Sequence, residues 1–172
     1  DDVSVTITEP TAISTTTSQN NISCFGLSDG SISLTINGGV PNYTINVPPY
    51  TLTLTGGVNT FTTPPLLAAG TYNYDITDFN GCPFTSSVTI TEPTAISTTT
   101  SQNNISCYGL TDGSISITAT GGTPSYQYSI DAGATWTPGT PANPFVFSGL
   151  TAGLYTVNIK DDNDCTDDVL VT

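Results

Sequence analysis

A block of twenty residues, Val5 to Cys24 (VTITEPTAISTTTSQNNISC), returns letter for letter as Val88 to Cys107. The offset of 83 holds without a gap along the chain: Cys24 maps onto Cys107, Gly38-Gly39 onto Gly121-Gly122, Gly70 onto Gly153 and Cys82 onto Cys165. A period of this length suits one small domain with its own core, so the 172 residues read as a tandem array and not as one large domain. The division that follows is 1–10 as the closing strand of a preceding repeat, 11–93 as a first β-sandwich repeat, and 94–172 as a second whose last strand is truncated.

Within a period the apolar residues alternate and no window has helical spacing. Ile32, Leu34 and Ile36 share one face of a strand, as do Ile115, Ile117 and Ala119 in its twin. Tyr72, Tyr74 and Ile76 repeat the pattern, matched by Tyr155, Val157 and Ile159, and so do Val88 and Ile90. Val3, Val5 and Ile7 alternate in the same way before Glu9-Pro10, and Glu92-Pro93 recurs at the same phase; proline stops a ladder, which makes Glu-Pro the expected junction. About seven short strands separated by Asp-Gly, Gly-Gly and Pro turns predict an all-β architecture of tandem immunoglobulin-like antiparallel sandwiches arranged head to tail. The stretch from Pro48 to Pro65 differs from its counterpart at equal length, as exposed hairpins tolerate.

Composition narrows the partners. Fourteen acids stand against one base, Lys160, and there is no His. No basic patch is available to neutralise phosphates, which argues against nucleic acid and against anionic membrane surfaces. The 34 Thr and 17 Ser give a strand-forming surface that still faces water. No run approaches the ~20 apolar residues of a membrane span. Four cysteines, two per period with a spacing of 58, and no His beside them predict disulfides and an oxidising compartment instead of zinc. The chain reads as an excerpt from a longer secreted protein.

The motifs are specific in combination. Cys24-x-Gly26-x-x-Asp29-Gly30-Ser31-Ile32, Gly38-Gly39-x-Pro41-x-Tyr43, Leu67-x-Ala69-Gly70-x-Tyr72, Asp78-x-Asn80-x-Cys82 and a closing Thr91-Glu92-Pro93 resemble the SprB-type repeat, and the second period resembles it again. Asp164 departs from the pattern where Gly81 stands. The resemblance implies a cell-surface adhesin of gliding Bacteroidota-type bacteria, exported by the type IX pathway. It brings no catalytic residue and names no ligand.

The cysteines admit two repeat-respecting frameworks. Cys24–Cys82 with Cys107–Cys165 closes each domain on itself and is the simpler; Cys82–Cys107 would staple neighbours across the junction. Asp78, Asn80, Asp161 and Asn163 carry the oxygens a calcium ion prefers, although Asp and Asn at such places also shape hairpin turns through bonds to backbone. Asp29-Gly30 and Asp112-Gly113 are expected to turn before a buried strand, with Gly supplying φ > 0. Tyr72 and Tyr155 are expected as core residues with bonded hydroxyls, like the tyrosine corner of sandwich domains. Phe61 and Trp136, with Phe25 and Tyr108, offer a sugar platform, against the ordinary alternative that scattered aromatics pack the interior. Asn21, Asn42 and Asn104 head glycosylation sequons.

Enzymatic function has the least support. His is absent, no Ser or Cys has a base in a recognisable motif, and a small repeated sandwich offers little cleft. A structural stalk or filament segment of a secreted adhesin is the first reading, since near-identical domains make alike junctions. Its partners would be further copies of the repeat in the same chain and other fibre chains. A carbohydrate- or surface-binding module using the variable hairpins is the alternative, with an external surface or polysaccharide as its partner. Strands of seven to ten residues give a step of about 35–45 Å per domain once turns are added.

Overall fold

The computed structural model describes residues 2–137 and 142–171. They form thirteen strands and no helix, and every strand pair is antiparallel. The chain divides into two units, Asp1–Ile22 with Ser28–Thr91, and Ser23–Leu27 with Glu92–Thr172.

The first unit holds β1 (Ser14–Asn20), β2 (Ser31–Asn37), β3 (Tyr43–Val47), β4 (Tyr50–Leu54), β5 (Thr60–Thr62), β6 (Gly70–Thr77) and β7 (Pro83–Ile90). One sheet runs β1-β2-β5 and the other β4-β3-β6-β7. The alternation read from the sequence puts Ile32, Leu34 and Ile36 of β2 against Ile45 and Val47 of β3, Tyr74 and Ile76 of β6, and Val88 and Ile90 of β7, all buried in one core. That is a β-sandwich: two sheets whose inner faces supply alternate residues to a shared interior. Between the sheets the Tyr74 hydroxyl meets the Thr15 hydroxyl at 2.7 Å, so the one polar end of a buried ring is satisfied from the opposite sheet.

The second unit holds β8 (Ser97–Asn103), β9 (Gly113–Thr120), β10 (Gln127–Ser129), β11 (Phe145–Leu150), β12 (Tyr155–Lys160) and β13 (Thr166–Val171), in sheets β11-β9-β8 and β10-β12-β13. Ile115, Ile117, Ala119, Tyr128, Val157, Ile159 and Val171 are its buried core. Tyr128 stacks on Phe145 at 5.3 Å and Phe145 meets Phe147 edge-on at 4.9 Å, so three rings meet in the second unit, with Tyr128 standing where the first unit has Ile45.

Two sequence expectations change. Residues 2–13 form no strand, and Val3, Val5 and Ile7 are exposed at 84%, 81% and 94%. Their equivalents in β7 are paired along β6, with Tyr72 opposite Val88 and Gly70 opposite Ile90; alternation without a partner strand does not make a ladder. Gly30 is needed for close approach and not for a left-handed backbone: a Cβ there would sit 2.8 Å from Ile90 Cγ2 and 2.9 Å from the Leu67 carbonyl oxygen. Gly113 meets the Leu150 carbonyl oxygen in the same way.

The gapless offset also hides a slip. Leu34 of β2 faces Phe61, whereas its equivalent Ile117 faces Phe145, one residue later than the period predicts. Pro64 and Pro65, which have no N–H to donate, end β5 early; Ser148 and Gly149 let β11 run on to Leu150 through a bulge.

Candidate functional site

The most informative side chains are the cysteines. Cys24 is bonded to Cys165, with Cα atoms 5.6 Å apart, while Cys82 and Cys107 are free and exposed. Neither expected framework is observed, neither Cys24–Cys82 with Cys107–Cys165 nor Cys82–Cys107. The reason lies in the loop after β1. Ser23–Leu27 belongs to the second unit although both flanking segments belong to the first, so Cys24 has a partner one period further on than its own repeat supplies.

The loop is held by more than sulfur. Its own turn closes through Leu27 N–H donating to the Cys24 carbonyl at 3.1 Å. Gly26, left-handed at φ 77°, donates its N–H to Glu92 Oε2 at 2.8 Å. Asn163 Nδ2 donates to the Ser23 carbonyl at 3.0 Å and to Thr123 Oγ1 at 3.2 Å. Thus Glu92 of the repeated Glu-Pro and Asn163 of the Asp-x-Asn-x-Cys motif both serve as receptors for the loop. Reading the motifs as turns and junctions missed this; the signal for it was that the loop, the Glu-Pro and the Asp-x-Asn-x-Cys segment are all retained between periods whose hairpins differ.

Asp78 and Asp161 build the base on which the receiving cysteine stands. Asp161 is buried; its Oδ1 accepts from the Asn163 and Cys165 N–H groups at 2.9 and 3.0 Å, and its Oδ2 from Thr123 N–H at 2.7 Å. Asp78 repeats the arrangement with Asn80, Cys82 and Val40, each N–H at 2.9 Å. The Val40 N–H, followed by that of Cys82, holds the Asp78 carboxyl below the usual carboxylate range, and the Asp78 charge in turn pushes the Cys82 thiol up. Both oxygens of each carboxylate face amide donors, which is the turn-forming role weighed above against calcium for Asp78, Asn80, Asp161 and Asn163. No group of three or more His, Cys, Asp or Glu arranged to hold a metal occurs among the described residues.

The aromatic platform does not assemble. Phe61 is buried in the core of the first unit opposite Leu34. Trp136 belongs to the second unit, is half-buried, and has Lys160 Nζ 5.2 Å from its ring centroid. Phe25 and Tyr108 are exposed, each in the loop that carries a cysteine. Tyr72 and Tyr155 are half-buried and donate to carbonyls four residues upstream, Ala68 and Thr151, both at 3.0 Å. A second tyrosine pair went unread in the sequence: Tyr43 donates to the Gly38 carbonyl at 2.7 Å and Tyr126 to that of Gly121, pinning the Gly-Gly turn. The sequon residue Asn21 accepts the Thr91 N–H at 3.1 Å.

Residues 16–49 and 99–135 match the SprB repeat. The two matches start at the same phase of the 83-residue period, so the resemblance seen in the motifs holds in both units. Among solved structures the chain is similar to the fibronectin(III)-like modules of Clostridium thermocellum CbhA, at 16% identity and a TM-score of 0.33, over 90% of this chain and 92% of that one. The sandwich is established by the strand pairing itself and not by that likeness. A comparison with curated proteins finds no match.

Proposed function

We propose that the chain is a non-enzymatic structural segment of an extracellular adhesin, one stretch of a stalk built from tandem SprB repeats. The observation that carries this reading is the SprB match in both periods at one phase, together with twenty residues copied without change. The acidic, hydroxyl-rich surface and the cystine fit an oxidising exterior. Alike domains joined by alike junctions give every joint the same geometry, which a stalk needs and a set of divergent binding modules does not. The hairpin-platform alternative has less support, because Phe61 is buried and the Trp136 ring is covered by Lys160.

The test is an image of the intact assembly on the cell surface. A stalk gives an axial period of about 35–45 Å per repeat, the length of one sandwich with its turns. Domains folded back on one another, without an axial period, would overturn the stalk and leave a compact binding module.

A further inference from the structure

The chain contains two loops of one kind and two receptors of one kind, but only one loop and one receptor are joined to each other. The joined loop is Ser23–Leu27, and its receptor is Glu92, Asn163 and Cys165. The second loop, Ser106 to Leu110, differs only in Tyr108 for Phe25. It has the same turn, Leu110 N–H to the Cys107 carbonyl at 3.1 Å, and the same left-handed glycine, Gly109 at φ 80°. The residues equivalent to that receptor are Glu9, Asn80 and Cys82, and Cys82 stands on the same carboxylate-centred turn. Asp78 N–H donates to the Cys82 carbonyl at 3.2 Å and Gly81 N–H to that of Asp78 at 3.0 Å; in the joined receptor the corresponding distances are 3.0 and 3.1 Å. Gly81 at φ 81° and Asp164 at φ 59° hold the same backbone region.

Both cysteines of the unjoined set are exposed, and so is the apolar surface beside them. Tyr108 is fully exposed where Phe25 is 58% exposed. A loop shaped as it is when bonded, and a receiving cysteine on the turn it has when bonded, are two halves of a joint.

From this duplication we infer that Cys107 and Cys82 are the two halves of a second inter-repeat cystine, completed by another copy of the repeat: the Ser106–Leu110 loop of one copy docks on the Glu9, Asn80 and Cys82 receptor of the next. The Gly109 N–H meets the Glu9 carboxylate, Asn80 donates to the Ser106 carbonyl, and Cys107 bonds Cys82. The link skips the repeat's own second cysteine, so each domain of an array is fastened to its successor by a covalent bond in addition to the peptide chain. The inference rests on the tandem-array reading in that the partner is a further repeat.

The chemistry needs an oxidant, and a small-molecule disulfide such as oxidised glutathione supplies it. The Cys107 thiolate attacks one glutathione sulfur and expels a glutathione thiolate, leaving a mixed disulfide. The Cys82 thiolate of the other copy then attacks the Cys107 sulfur and displaces the second glutathione. Two protein thiols become one cystine, one glutathione disulfide becomes two thiols, and the protons pass to them or to water.

The test uses the 172-residue chain in a glutathione redox buffer at high protein concentration. Non-reducing electrophoresis is expected to give a ladder, and peptide mapping of a mixture of light and heavy-isotope chains is expected to find Cys82 of one copy joined to Cys107 of another. Cys82→Ser and Cys107→Ser are exposed, near-isosteric changes, and each alone stops the ladder. Mixed together, the two variants are expected to form the Cys107–Cys82 heterodimer at least about tenfold over symmetric dimers, a preference of about 1.4 kcal/mol. A Cys82–Cys107 bond within one chain, symmetric dimers in equal yield, or two thiols left free while Cys24–Cys165 is intact would each overturn the inference. Failure of the stalk reading is separate, since it would show as a missing axial period whatever the thiols do.

Discussion

The two units share a scaffold and differ in how they fill it. In the first, aliphatic residues from both sheets close the interior, and Ile90 lies over Gly30 with almost no exposure. In the second, Ala119 stands for Ile36, Val157 for Tyr74, and Ile105 is only half-buried where Ile22 is buried. A groove of about 230 Å³ lined by Ile105, Gly113, Leu150 and Val171 lies where Ile90 seals the first unit; the position equivalent to Ile90 follows Thr172, so the groove marks the end of the sequence and not a change of packing in the repeat. The bond across the sheets moves as well: with no tyrosine at position 157, Thr98 donates to Asp167 Oδ2 at 2.7 Å, where Thr15 met Tyr74. Each unit carries a free thiol, Cys82 in the first and Cys107 in the second, and the second unit has the thinner core and the cystine. The order of the shared strands is kept although Ala119 and Val157 replace Ile36 and Tyr74.

The largest effect that would break this comparison is loss of the cystine. By the loop-closure model a bond spanning 141 residues stabilises by up to about 5 kcal/mol, less where part of the loop stays folded. Reduction, or Cys24→Ser, is expected to lower the unfolding midpoint of the second unit and leave that of the first nearly unchanged. Calorimetry with hydrogen exchange assigned to each unit separates the two. Equal losses in both, or none in the second, would mean that the cystine does not offset the thinner core.

Core exchange is the next largest. Ile36→Ala leaves a cavity in the fuller core and is expected to cost about 2–4 kcal/mol in the first unit. If the rings of Tyr128, Phe145 and Phe147 already occupy the second interior, Ala119→Ile is expected to overpack it and cost about 1–3 kcal/mol. Stabilisation by Ala119→Ile, measured by denaturant midpoint, would show instead that the second core is underfilled. The groove offers a milder sharpening. Appending Ile-Thr after Thr172 continues the β7 sequence and is expected to add about 1–2 kcal/mol to the second unit by burying one isoleucine. No gain would mean that the groove is not the place Ile90 fills.

These differences mark what the sequence could tell. Alternation at Ile32, Leu34 and Ile36 fixes the inner face of β2 whatever lies opposite, because the side-chain period of a strand is two. The Gly-Gly turn was legible for a similar reason: a Cβ on Gly38 or Gly121 would sit 2.1 or 2.0 Å from a carbonyl oxygen, so no other residue fits. Pairing of cysteines was not legible, since nothing local says that five residues after β1 belong with the next period. The slip between Phe61 and Phe145 was hidden by equal lengths, one residue gained before β11 and one lost after it. Burial of Phe61 and the cation over Trp136 depend on what packs opposite, which spacing along the chain does not report.

The smallest predicted effect separates the units at one hairpin. Where the first unit turns on Pro48, the second turns on Asp131, whose Oδ1 accepts from the Ser129 hydroxyl at 2.6 Å and the Thr135 N–H at 2.9 Å, while Oδ2 accepts from the Thr135 hydroxyl at 2.6 Å. The Ser129 and Thr135 hydroxyls, with the Thr135 N–H, hold the Asp131 carboxyl down to about 2, against an ordinary value of 3.8. A carboxyl depressed in the folded state stabilises above its unfolded pKa and loses that contribution as pH falls toward the folded value. The turn is therefore expected to be intact above about pH 4 and to loosen progressively toward pH 2. Acid also relieves the repulsion of a chain carrying a formal charge of -13, which acts the other way and on both units, so a global midpoint would blur the effect. Trp136, the only tryptophan, lies in the same hairpin and gives a local signal that the first unit cannot contribute to. Its fluorescence should change between pH 4 and pH 2 in the native chain, and Asp131→Asn, which cannot ionise, should flatten that change. An equal acid step in the Asn variant would place the titrating group elsewhere in the second unit, with Asp112, itself held low by the Ser106 hydroxyl and N–H, as the next residue to replace.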